Sequence, residues 1–269
     1  MVGQESGLDM KTAIIIPARY ASTRFPGKPL ALLAGKTVLE RVVDVAQQVS
    51  KDIPEVTYHV ATDDARIERF CLDKSIPVIM TGTELETGTD RVMAAASTLP
   101  TAPDFIINLQ GDAPFTPTDF VTDIINAYQA NPSADIVTPV VQLSWDELDT
   151  LRDSKKTTPF SGTTAVLDKD NRALWFSKNI IPAIRKENRT TPNSPVYRHI
   201  GLYGYARTAL QKYITLPVSH YEYLEGLEQL RALENGMVIQ AVVVNYKGRP
   251  AMTGIDSPED LARAEALLK

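Results

Sequence analysis

The chain of 269 residues is short of several things, and each shortage removes a class of protein. It has a single cysteine, Cys71, so neither an intramolecular disulfide nor a cysteine-based zinc cluster is open to it. A lone cysteine of this kind reads as a small core residue. No run of about 18 consecutive apolar residues occurs, and a helix that crosses a bilayer needs that many. Basic charge is not in excess: 28 Lys and Arg against 33 Asp and Glu leave a formal net charge of −5. Nonspecific nucleic-acid binding needs a clustered basic surface, so that class is disfavoured. Met1 to Met10 carry Glu5 and Asp9 but no Lys or Arg. They lack the basic start and apolar stretch of a signal peptide, and residues 1–11 read as an N-terminal extension. The absence of GxGxxG disfavours a dehydrogenase.

What is present is ordinary for a folded protein. Hydrophobic residues at 43% and charged residues at 23% exclude wholesale disorder. Residues 12–269 read as one domain, with no linker long enough to separate independent parts. The chain is most simply a cytoplasmic enzyme or binding protein.

The first half alternates two patterns. Thr12–Pro17 is a short apolar run, as expected of a strand buried on both faces. Val38–Val49 follows at helical spacing, with Val38, Leu39, Val42, Val43 and Ala46 on one face. The cycle repeats with strands at Val56–Ala61, Ile76–Met80, Phe105–Leu109 and Asp135–Val141. Helices are expected at Asp64–Leu72, capped by Asp63, at Thr89–Ser97, and at Pro117–Ala130, capped by Thr116. This alternation predicts an α/β fold with a Rossmann-like, mostly parallel sheet flanked by helices. The second half is less regular, and no element is assigned between Val141 and Thr163. Thr163–Leu167 and Ala173–Ser177 read as a hairpin, Arg185–Pro195 as a loop, His199–Tyr205 as a strand and Ser219–Glu234 as a helix closed by Asn235-Gly236. Val238–Val244 is a strand, and Ser257 opens a final helix with Leu261, Ala264 and Leu268 on one face.

Ligands of such sheets bind beyond the carboxyl ends of the strands. The loop after the first strand carries Arg19, Arg24 and Lys28, small residues, and Gly27 for tight turning. These suit an anion such as phosphate, although a solvated loop would show the same spacing. After the fourth strand comes Gln110-Gly111-Asp112-Ala113-Pro114, and Gly254-Ile255-Asp256 supplies a second carboxylate. Two aspartates together with phosphate and substrate oxygens can hold Mg²⁺. An aspartate that merely caps a turn is the plainer alternative at Asp112.

Six blocks resemble one family in register. They are Ile14 to Leu30, Glu86 to Arg91, Asn108 to Asp112, Arg198 to Tyr205, Leu227 to Arg231 and Gly254 to Leu261, and they extend over nearly the whole chain. Together they resemble the CMP-Kdo synthetases, 3-deoxy-manno-octulosonate cytidylyltransferases among the sugar nucleotidyltransferases. The resemblance implies the reaction CTP + Kdo → CMP-Kdo + diphosphate, which serves lipopolysaccharide biosynthesis. It implies that Arg19 and Lys28 bind the triphosphate, and that Ala18, Thr87, Gly88 and Gln110 hold the cytidine. Asp112 and Asp256 would bind Mg²⁺. Arg24, His199, Tyr203, Glu228 and Gln229 would hold the acidic sugar. It also implies a homodimer, with the irregular segment of about 163–207 as a smaller subdomain for dimerisation and sugar binding.

The chain departs from the family pattern at three places. Ala113 stands where the usual metal loop has a carboxylate, Lys178 stands where the family has Arg in its Phe-Ser-Arg run, and Ser161 to Thr164 lack a lysine. Lys is a point charge and cannot form the two-pronged fork of Arg. These changes bear on the identity of the sugar more than on the use of CTP, so 8-amino-Kdo or a sialic-acid-like acid stands as an alternative. A catalytically idle nucleotide-binding module is the rival from another class, and it would be expected to lack one of the two aspartates.

Overall fold

Ile14, Ile15 and Ile16 have no solvent exposure, and neither do Phe105, Ile106 and Ile107. Strands this apolar on both faces belong in the middle of a sheet covered on each side. The computed structural model describes residues 10–21, 24–249, 251 and 254–268. The extension expected at residues 1–11 lies almost wholly outside them. The chain divides into two compact units, residues 1–125 with 250–269, and residues 126–249.

The first unit carries β1 (Thr12–Ala18), a 3-10 turn (Lys28–Leu30), β2 (Leu32–Leu33), β3 (Lys36–Thr37), α1 (Val38–Asp52), β4 (Val56–Thr62), α2 (Ala65–Asp73), β5 (Val78–Met80), α3 (Gly88–Ser97), β6 (Phe105–Asn108) and α4 (Thr118–Ala130), in which the unit boundary falls. Its sheet runs β5-β4-β1-β6, and every pair is parallel. The expected apolar face of α1 is buried, and Val49 joins it. Thr37 and Glu40 close a reciprocal cap at its start, which satisfies two otherwise unpaired N–H groups. Cys71 is fully buried.

Two caps differ from expectation. Asp64, not Asp63, caps α2, and Asp63 instead receives the Arg91 guanidinium at 2.6 Å. Thr116 does not cap α4; its hydroxyl donates to the Ala113 carbonyl at 3.0 Å.

The second unit carries β7 (Ile136–Ser144), α5 (Trp145–Thr157), β8 (Thr164–Leu167), β9 (Ala173–Ser177), β10 (Asn193–His199), β11 (Tyr203–Ala206), α6 (Arg207–Tyr213), α7 (His220–Glu225), α8 (Glu228–Glu234) and β12 (Ile239–Val244). The last helix, α9 (Pro258–Ala266), belongs to the first unit. Here the sheet is mixed. β12 runs parallel to β7, whereas β10 and β11 pair with β7 antiparallel, and β8 joins β10 and β9 antiparallel. The hairpin expected at Thr163–Ser177 is β8–β9. α5 was given no element by its sequence because ten of its thirteen residues stay out of the core; only Trp145, Leu148 and Leu151 are buried.

Two expected elements are broken. His199–Tyr205 is not one strand: β10 ends at His199 and β11 starts at Tyr203. Opposite the break lies Pro139, which accepts from the Ile200 N–H at 3.1 Å but has no N–H to give back. The Thr138 hydroxyl substitutes, donating to the Leu202 carbonyl at 2.8 Å. Ser219–Glu234 is likewise two helices. Gly226, at φ 62°, ends α7 in the left-handed conformation that glycine adopts without strain. Glu228 and Gln229 therefore open a new helix instead of lying within one. In α9 only Ala264 is buried, and Leu268, beyond its end, is exposed.

Thr138 Oγ1 also lies 2.9 Å from His199 Nε2. His199 is held as a neutral imidazole. Burial, with the Lys178 charge adding, pushes its pKa down from 6.5 to about 3. Below about pH 6.5 the unfolded chain takes up a proton that the folded chain refuses. Stability is therefore complete above that pH and falls as pH drops toward 3. Urea unfolding at stepped pH is expected to show His199→Gln with a flatter decline between about pH 6.5 and 5, by roughly 1.4 kcal/mol per pH unit. Parallel profiles for the two proteins would refute this.

Candidate active site

The end of β1 and the end of β6 are pressed together. Leu109 N–H donates to the Ile15 carbonyl at 3.1 Å. A Cβ on Gly111 would stand 2.5 Å from the Pro17 carbonyl oxygen, so no other residue fits there without moving the backbone. This sets Gln110 and Asp112 beside the loop that leaves β1. The segment before α9 joins them: Ile255 N–H donates to the Asp112 carbonyl at 2.8 Å. The Ile255 side chain is buried with Leu33, Val38 and Ala264, and Asp256 follows it.

A cavity of about 390 Å³ opens here, lined by Ala18, Arg19, Arg24, Lys28, Gly88, Arg91, Gln110, Asp112 and Asp256 among others. Lys28 Nζ lies 2.7 Å from Asp112 Oδ2 and 3.4 Å from Asp256 Oδ1. Arg24 reaches the same oxygen of Asp256 at 3.2 Å. Two carboxylates thus converge on one cation. Two carboxylates can contribute to the oxygen donor set that a hard divalent cation takes, with phosphate oxygens and water completing it. The residues present fit Mg²⁺.

Gln110 Nε2 donates to the Asn108 side-chain carbonyl at 3.2 Å, which leaves its own carbonyl oxygen as an acceptor near Gly88. Thr87 is different. It caps α3, accepting from Asp90 N–H at 3.0 Å and donating to the Asp90 carboxylate at 2.7 Å. Its hydroxyl is engaged in that cap, and Thr87 is not among the cavity-lining residues.

Arg91 is a cavity residue that the sequence reading gave no role. It has no solvent exposure and is held by Asp63 and by the Thr81 hydroxyl. An arginine one step past a helical first turn ordinarily faces water. The one sequence signal was the apolar company of Val92, Met93, Ala95 and Ala96 on a short helix.

His199, Tyr203, Glu228 and Gln229 lie in the second unit, whereas Arg24 lies in the first. Tyr203 donates its hydroxyl proton to Gln229 Oε1 at 3.1 Å. The His199 ring sits 5.3 Å from Tyr203 and 5.0 Å from Phe176. Gln229 is buried, and its Nε2 has no hydrogen-bond partner. A buried donor left unpaired is costly. Burial lowers the Lys178 ammonium pKa against the opposing pull of Glu225. Glu225 also accepts from the Lys178 N–H at 2.7 Å and from the Ser177 hydroxyl at 2.9 Å. Burial likewise holds the Tyr203 phenol well above its ordinary pKa, so it stays protonated.

A family model described as Cytidylyltransferase matches residues 13–239. The 3-deoxy-manno-octulosonate cytidylyltransferase of Maricaulis maris is 41% identical over 259 residues, covering 96% of this chain and 97% of the relative. That of Phocaeicola vulgatus is 40% identical over 263 residues, covering 97% and 98%. The solved structure of a CMP:2-keto-3-deoxy-manno-octonic acid synthetase complexed with CTP matches with a TM-score of 0.82 at 33% identity, covering 96% of this chain and 98% of that one. A 4-diphosphocytidyl-2C-methyl-D-erythritol synthase from Anaerococcus prevotii, at 18% identity and a TM-score of 0.57, shares the fold alone. With the paired aspartates and the cationic loop in place, the chain belongs to the cytidylyltransferase family, and within it to the 3-deoxy-manno-octulosonate cytidylyltransferases.

Proposed function

We infer that this protein activates Kdo: CTP + 3-deoxy-D-manno-octulosonate → CMP-Kdo + diphosphate. The observation that carries this reading is the convergence of Asp112 and Asp256 on the Lys28 ammonium, at 2.7 and 3.4 Å, in a cavity also lined by Arg19 and Gln110. The anomeric hydroxyl oxygen of the sugar forms a bond to the α-phosphorus. The bond from that phosphorus to the bridging oxygen breaks, diphosphate leaves, and the hydroxyl proton passes to solvent. Arg19 and Lys28 hold the triphosphate and stabilise the charge that grows on the departing diphosphate. The free carbonyl oxygen of Gln110 accepts from the exocyclic amine of cytosine, a donor that uracil lacks. Asp112 and Asp256 would hold Mg²⁺, which when bound neutralises phosphate charge and acts as a Lewis acid.

The sugar calls for neutral hydrogen-bonding groups as well as a cation. The neutral His199 ring and the unpartnered Nε2 of Gln229 suit hydroxyls. Lys178 is the cation that the second unit offers to the sugar's carboxylate. CTP is a cytoplasmic metabolite, so the reading places the reaction in the cytoplasm. Among the described residues no helix is long and apolar enough to cross a membrane. A homodimer built through the second unit is part of the same reading, supported by the exposed Leu174 on β9 and the exposed Tyr223 and Leu224 on α7.

The direct test mixes protein, CTP, Mg²⁺ and a panel of 2-keto sugar acids and measures diphosphate release. Kdo is expected to be the preferred acid, and an 8-amino analogue used more efficiently would replace it. Asp112→Asn and Asp256→Asn are each expected to cut turnover at least about a hundredfold with the fold intact. EDTA should abolish activity and Mg²⁺ restore it, so full turnover in EDTA would sink the metal assignment. For the sugar pocket, Gln229→Ala is expected to raise the KM for Kdo roughly tenfold and leave that for CTP within about twofold. An unchanged KM for Kdo would remove Gln229 from the pocket. Light scattering at micromolar concentration is expected to give twice the chain mass, and a monomer would refute the dimer.

A further inference from the structure

Arg19 and Lys28 flank a loop that is closed on itself. Tyr20 follows Arg19, Gly27 precedes Lys28, and the Gly27 N–H donates to the Tyr20 carbonyl at 2.9 Å. Gly27 has φ 74°, and a Cβ there would stand 3.1 Å from Cζ and the hydroxyl oxygen of Tyr20. The tyrosine ring therefore lies against the backbone that begins the Lys28 turn, for which Gly27 is the N-terminal cap.

The same ring carries a second contact. The Arg66 guanidinium carbon lies 3.3 Å from its centroid. Arg66 is itself fixed by Asp64, with Nε 2.9 Å and Nη2 2.6 Å from the two carboxylate oxygens. Asp64 in turn is the N-cap of α2 and accepts from the Arg66 backbone N–H at 2.9 Å. A planar guanidinium held by a two-pronged fork presents a fixed flat face, and a flat face stacks on an aromatic ring. Arg66 is not among the residues that line the cavity, and its charge is already matched by Asp64. It is placed to hold the loop, not the phosphate.

We propose that the Tyr20–Arg66 stack, locked by Asp64, is a clasp that sets the spacing of Arg19 and Lys28 on the triphosphate. Tyr20 and Arg66 are then positioning residues for nucleotidyl transfer. The proposal rests on the reading that the triphosphate binds in this cavity. Its physical content is preorganisation: a loop already closed loses less freedom when both cations engage their ligand.

Arg66 has a side chain 60% exposed, so its removal does not hollow the core. The test uses the full chain as wild type, Arg66→Ala, Arg66→Lys and Tyr20→Phe. Calorimetry with inorganic tripolyphosphate measures binding without the sugar, and steady-state kinetics with CTP and Kdo measure turnover. Arg66→Ala is expected to weaken tripolyphosphate binding about three- to tenfold and to lower kcat/KM for CTP at least as much. Its KM for Kdo should stay within about twofold and its unfolding midpoint should not move, which a merely structural role would not give. Arg66→Lys keeps the charge but not the plane, and should show most of the loss. Tyr20→Phe keeps the ring and should lose less than Arg66→Lys. Unaltered tripolyphosphate binding by Arg66→Ala would overturn the clasp. Full recovery in Arg66→Lys, or a loss in Tyr20→Phe equal to that of Arg66→Ala, would overturn it too. A wild type that binds no tripolyphosphate would overturn the functional reading together with the clasp.

Discussion

Two carboxylates that approach the same point repel each other unless a cation stands between them, and this constraint organises the first unit. Lys28 is the cation, and its partners come from the loop after β6 and the segment before α9. The side chains are 12%, 31% and 47% exposed. At such exposure an ion pair adds only about 0–1 kcal/mol, so the trio is a poor stability device. What holds the three segments together is backbone and core. The crowding of Gly111 against Pro17, the bond from Ile255 N–H to Asp112, and the burial of Ile255 do that work. The charges are brought together by the fold and remain available to a ligand.

The second unit gathers chemistry of another kind. His199 is neutral, Tyr203 stays protonated, and Gln229 keeps an unpaired amide donor. Phosphates are selected by charge, which acts over distance and tolerates some misplacement. Sugar hydroxyls are selected by hydrogen bonds, which weaken steeply with angle and length. Recognition by such groups needs burial and fixed rings; Phe176, His199 and Tyr203 are in ring contact, which suits them to the proposed sugar-binding role.

How much of this could be read from residues alone varied with the kind of interaction. The strand Ile14–Ile16 and the helix face from Val38 to Ala46 were legible because periodicity reports burial directly. The reciprocal cap at Ser257 was legible because its partner, Asp260, lies three residues on. Long-range effects were not. Nothing near Asp63 says that a buried arginine from α3 will claim it, and so the cap moved to Asp64. Gly226 looks like any glycine within a helical pattern until its positive φ is seen. At the site, the cations and aspartates were placed by resemblance and by their positions after strands. Thr87, expected to hold the cytidine, also caps α3 through Asp90, and a capping side chain and a ligand-binding one look alike in sequence. The Arg66 contact to Tyr20 crosses between two segments that no local pattern connects.

The first unit is built from two stretches of chain, and the second unit is synthesised between them. During translation Lys28 and then Asp112 leave the ribosome before any of the second unit, and Asp256 follows only after β12. At about 5–20 residues per second, that delay is on the order of ten to thirty seconds. Through this interval the nascent chain can pair Lys28 with Asp112, but Asp256 is not yet there to join them. The cavity lined by Lys28, Asp112 and Asp256 is therefore complete only once the second unit has been made.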